Sequence, residues 1–75
     1  MNNQISKQQF VGAVGVFYEN RAVFEEDGEW YHILPSGKPA YSQRYKKSEY
    51  FQGGFAWVQK YDGTWVKINK VGKEV

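Results

Sequence analysis

The chain has no cysteine, a single histidine, two prolines and no apolar run approaching the ~20 residues that a membrane-crossing helix needs. Without cysteine it has neither a disulfide framework nor thiolate metal ligands. His32 has no second imidazole or thiol with which to share a metal, and no serine or cysteine stands in a nucleophile motif. No enzyme, cofactor or metal is therefore expected. The start, Met1-Asn2-Asn3-Gln4, lacks the basic end and apolar run of an export signal, so a cytoplasmic protein away from membranes is the expectation. The acidic run Glu25-Glu26-Asp27 suits a hard cation by composition, but strand alternation sends Glu25 and Glu26 to opposite faces, which reads as a solvated hairpin tip. Gly12-Ala13-Val14-Gly15 lacks the Gly-Lys-Ser/Thr ending of a phosphate-binding loop.

What is abundant is aromatic. Three Trp, six Tyr and five Phe in 75 residues favour strands over helices, and no segment sustains a helical period. This length makes one domain, residues 1–75, near the lower limit for a core without disulfide or metal support. One motif is written twice. Asp27-Gly28-Glu29-Trp30-Tyr31-His32-Ile33-Leu34-Pro35-Ser36-Gly37-Lys38 returns 35 residues later as Asp62-Gly63-Thr64-Trp65-Val66-Lys67-Ile68-Asn69-Lys70-Val71-Gly72-Lys73. Upstream, Phe17 and Ala22 match Phe51 and Ala56 at a spacing of 34, so Tyr61 is an inserted residue. A repeat of this length marks a module that stacks on copies of itself and offers a surface.

The expected fold is all-β: an antiparallel meander of two hairpin repeat units, about 17–38 and 51–73, with a short N-terminal strand and a connector over 39–50. Residues 1–9 read as a polar terminus or short edge strand, and Phe10 to Phe17 as a first strand with a bulge at Gly12 or Gly15. Arg21 to Glu26 and Glu29 to Leu34 flank Asp27-Gly28, a strong hairpin signal because both turn residues tolerate positive φ. Phe55 to Lys60 and Thr64 to Asn69 flank the longer Tyr61-Asp62-Gly63, which calls for a left-handed glycine. The connector carries one short strand near Tyr45. Alternation puts Ala22, Phe24, Tyr31 and Ile33, with Ala56, Val58, Val66 and Ile68, on the core side. It puts Trp30, His32, Trp65 and Lys67 on the other, beside water.

The pattern Phe17-x-x-Asn20-x-Ala22, then Asp27-Gly28-x-Trp30-x-x-Ile33-x-x-x-Gly37-Lys38, resembles the bacterial WG-repeat family. Phe51-x-x-Gly54-x-Ala56-x-Val58, then Asp62-Gly63-x-Trp65-x-x-Ile68-x-x-x-Gly72-Lys73, resembles it more closely. Tyr31 and Val66 stand where that family has a glycine after tryptophan, and Asn20 replaces another glycine, as in a divergent branch. The resemblance implies an all-β repeat with a binding or scaffold role and carries over no catalytic residue. Asp27-Gly28-Glu29-Trp30-Tyr31-His32 is also similar to choline-binding repeats, whose period is much shorter than the one here.

Two binding readings follow. In the first, the chain is a non-catalytic protein-interaction module, a small adaptor or inhibitor, using Trp30, Trp57, Trp65, His32 and Lys67 as anchors. In the second, Arg44, Tyr45, Lys46, Lys47, Lys60 and Tyr61 form a basic, aromatic strip for single-stranded nucleic acid. Residues 1–37 hold two bases against five acids and residues 38–75 eight bases against three, so the halves carry opposite charge. Two units also leave uncovered ends, and a homo-oligomer is expected.

Overall fold

The computed structural model describes residues 12–75. They run β1 (Ala13–Tyr18), β2 (Arg21–Glu26), β3 (Glu29–Ile33), β4 (Lys47–Ser48), β5 (Phe55–Gln59) and β6 (Trp65–Asn69). β1, β2 and β3 make one three-stranded sheet and β4, β5 and β6 a second, each antiparallel and in chain order. The fold is the all-β meander of two hairpin units that the repeat implies. The polar start over residues 1–9, with Phe10 and Val11, lies outside the described residues.

The turns follow from local chemistry. Asp27 and Gly28 both have positive φ, 54° and 82°, the pair of values that lets a two-residue turn match the right-handed twist of β2 and β3. In the longer second hairpin the Lys60 N–H donates to the Thr64 carbonyl and the Gly63 N–H to the Lys60 carbonyl, both at 2.8 Å, with Gly63 at φ 93°. Tyr61 is thus absorbed in the connection without shifting the pairing of β5 and β6. In β1 the register slips between Val14 and Phe17, which places the irregularity within Gly15–Val16 and not at Gly12.

Strand pairing redraws the repeat. Ala13 opposite Glu25 and Val14 opposite Phe24 correspond, 34 residues on, to Lys47 opposite Gln59 and Ser48 opposite Val58. Each unit therefore begins with a strand four residues ahead of the Phe17 or Phe51 that opens the sequence motif. The short strand expected in the connector is this first strand, β4. Within these pairing limits, residues 13–46 carry five acids and four bases and residues 47–75 three acids and five bases, a milder charge contrast than the halves of the chain suggest.

Ala22, Phe24, Tyr31, Ile33, Ala56, Val58 and Ile68 are buried, with Val66 packed against them. Tyr41, Tyr45 and Phe51 complete the core. Each large apolar side chain removed from water contributes about 1.5–3 kcal/mol, so the eight large core residues, with Ala22 and Ala56 filling the space between them, carry this small domain.

Candidate functional site

His32 corrects the expectation of a solvated strand histidine. It does lie on the face of β3 opposite Tyr31 and Ile33, but it is fully buried, because the second unit covers that face. Phe51 packs edge-on against the imidazole with centroids 4.5 Å apart, and Tyr41 meets it at 5.7 Å. The ring Nε2 lies 2.8 Å from the Glu49 carbonyl oxygen, which can only accept, so Nε2 carries the proton and donates. Nδ1 is then the acceptor for the Tyr41 hydroxyl at 2.5 Å. Burial holds the histidine neutral, lowering its pKa to about 4, while the hydrogen bond to Glu49 works in the other direction. Burial likewise pushes the Tyr41 phenol up. His32 is a fastening between units.

A second fastening joins the turns that open the two hairpin units. Glu19 of the β1–β2 turn accepts the N–H groups of Gly53 and Gly54, at 2.7 and 2.9 Å, from the corresponding turn of the second unit. Two successive N–H groups aimed at one carboxylate make an anion nest, and that hydrogen bonding, the Gly54 bond foremost, lowers the Glu19 pKa. Lys70 stands 3.8 Å from the same carboxylate.

Lys67, which occupies the position of His32 in the second unit, has a different environment. Its Nζ sits above the rings of Phe55 and Trp57, 5.2 and 5.6 Å from their centroids, beside a cleft of about 190 Å³ lined also by Glu49, Tyr50 and Gln52. Trp57 is 48% exposed and Phe55 is exposed as well. The corresponding groove on the first unit, lined by Gly15, Val16, Tyr18 and Val23, has Ser48, Glu49 and Tyr50 of the second unit along it. Tyr50 rests on Tyr18 there, with ring centroids 4.6 Å apart. The same surface thus exists twice: on the first unit it is a groove of about 440 Å³ with Ser48, Glu49 and Tyr50 of the second unit forming one wall, and on the second unit it is the smaller cleft with no further unit beside it.

The other anchors divide. Trp30 is half-buried, its backbone exchanging two 2.9 Å hydrogen bonds with Tyr45, whereas Trp65 is exposed. Trp57 and Lys67 come together at the cleft and His32 belongs to the inter-unit junction, whereas Trp30 pairs with Tyr45 in the segment that leads into β4. Phe55 and Glu49 are not among the residues the sequence singles out, although the alternation Phe55-x-Trp57 is a usable signal. The basic strip is also broken up. Tyr45 is buried and corrects its place as a stacking residue, since it fills the core beside Tyr41. Arg44 lies 3.6 Å over the Tyr31 ring and 3.9 Å from Glu29, and Lys60 pairs with Glu74 at 2.8 Å. Lys46, Lys47 and Tyr61 remain exposed. Among the described residues no three acidic or histidine side chains gather as a metal site, and no helix is long and apolar enough to cross a membrane. Comparison with protein families, with curated proteins and with solved structures returns no match.

Proposed function

We propose that this chain is a non-catalytic protein-interaction module of the adaptor or inhibitor kind, a divergent WG-type repeat whose recognition surface is the open cleft of its second unit. The observation that carries this reading is the exposure of Phe55 and Trp57 under Lys67, at positions whose counterparts in the first unit, Arg21, Val23 and His32, lie at the junction side of the molecule. Exposed aromatics in a concave site, with charged and amide groups at the margin, are the usual composition of a protein-binding anchor. A nucleic-acid reading has less support, because Arg44 and Lys60 already have acidic partners and Tyr45 is enclosed. Immobilised parent protein should retain a defined set of proteins from an extract, and Trp57→Ala should lose that set while keeping its circular dichroism spectrum. Identical retention by both would remove the cleft from this role.

A further inference from the structure

We infer that the chain assembles head to tail, the β1 face of one copy docking into the Phe55–Trp57–Lys67 cleft of the next. This rests on the interaction-module reading and gives it a partner, a second copy of the chain. The argument is that the molecule already contains this junction once, between its own units.

On the first unit, the groove of Gly15, Val16, Tyr18 and Val23 has Ser48, Glu49 and Tyr50 of the second unit along it. Moved by the 34-residue repeat, that groove becomes Glu49, Tyr50, Gln52 and Trp57, four residues of the open cleft. Moved back by the same step, Ser48, Glu49 and Tyr50 become Val14, Gly15 and Val16 of β1. The docking element exists and is uncovered. All six residues of β1 are exposed. Val14 and Phe17 are each 39% exposed, whereas their counterparts Ser48 and Phe51 are 6% and 1% exposed in the internal junction. One chain thus carries an unfilled acceptor at one end and an unburied donor at the other, which is the arrangement that yields open chains or rings instead of a two-fold pair.

The chemistry transfers with the positions. At the internal junction the His32 ring supports Phe51 and its Nε2–H donates to the Glu49 carbonyl. At the junction between copies the alkyl stem of Lys67 takes the ring's place beneath Phe17, and its ammonium, a donor only, faces the Gly15 carbonyl at the Glu49 position. Replacing histidine by lysine suits a contact that is exposed before it forms, because lysine is readily hydrated in the free chain. One feature is not carried over. Glu19 has no counterpart on the second unit, where Gly53 occupies its place, so the junction between copies lacks the carboxylate clasp. The assembly is therefore reversible, weaker than the internal junction.

Sedimentation of the purified full chain, from a few to several hundred micromolar, tests this. The parent mass should climb above 8.8 kDa with concentration. Val14→Asp alters the donor face at a position outside the internal groove and Trp57→Asp alters the acceptor, so each alone should stay a monomer, while an equal mixture should reach twice the chain mass and stop. Gly53→Glu supplies the missing clasp at a turn where Glu19 already shows that glutamate is accommodated, and should tighten association about tenfold. A parent that remains monomeric throughout, or variants that fail to rescue each other because the contact is two-fold, would overturn the proposal. If the parent is monomeric yet the extract proteins are still lost with Trp57→Ala, only the self-partner is wrong. If both results are negative, the cleft has no binding role.

Discussion

The two units share turns, pairing and core positions, yet the same position has opposite surroundings in each. His32 is sealed beneath Phe51 and Tyr41, whereas Lys67 stands over an open cleft; Phe51 is sealed, whereas Phe17 is half out in water. The pairing explains why. The inner face of each sheet is buried within the unit, but the opposite face is covered only if another unit follows it. A position in a repeat is therefore defined by its neighbour as much as by its own strand.

Phe51 and Phe17 break the comparison most sharply. Phe51→Ala should cost about 3–5 kcal/mol of unfolding free energy and Phe17→Ala about 1 kcal/mol, measured by chemical denaturation of dilute protein. Equal losses would mean that the two ends of the core are equally closed.

The His32 ring sharpens it through pH. An unfolded histidine ionises near 6.5 and the folded one near 4, so the unfolded chain binds the extra proton between those values. Stability from this group is complete above pH 6.5 and is lost as pH falls toward 4, by roughly 3 kcal/mol in total. His32→Gln should flatten the stability profile across that window, and an unchanged slope would show that the ring takes up protons as freely as one in water.

A smaller difference separates two glycines. Gly63 and Gly72 both have positive φ, but a Cβ on Gly63 meets nothing within 4 Å, whereas one on Gly72 would lie 2.6 Å from Cβ of Tyr41. Gly63→Ala should cost about 1–2 kcal/mol and Gly72→Ala about 1 kcal/mol more, unless Tyr41 can retreat. Thermal melts side by side decide whether this packing distinguishes the turns. The smallest effect is expected from Glu19→Gln, which keeps an acceptor for Gly53 and Gly54 but removes the charge on an exposed side chain. It should lower the melting temperature slightly at neutral pH and make no difference once the carboxyl is protonated.

Much of the fold was legible because it is local. Asp27-Gly28 and Asp62-Gly63 each mark a turn locally, with Gly28 and Gly63 both at positive φ, and alternation puts Ala22, Phe24, Ile33, Ala56, Val58 and Ile68 on the buried face. β4 was harder to read since Lys47-Ser48 has no apolar pattern and is held by pairing with Val58 and Gln59. The site was half legible. Trp57 and Lys67 were among the candidates, but alternation reports only which side of its own strand a residue occupies. It is silent on whether a later segment, such as Glu49 to Phe51, will cover that side, so His32 sits on the expected face yet is buried. Tyr45, grouped with the basic strip by the charges around it, is buried beside Tyr41, which neighbouring charge does not report. The Glu19 clasp spans 34 residues and leaves no periodic trace.

The hydrogen bond from His32 Nε2 to the Glu49 carbonyl has one more consequence, a kinetic one. Its proton belongs to one unit and its acceptor to the other, so it can be lost to solvent only when the two separate, either locally or with the whole chain. The exchange lifetime of that single imidazole proton, followed by NMR, is a clock for how often the two halves of the molecule part company.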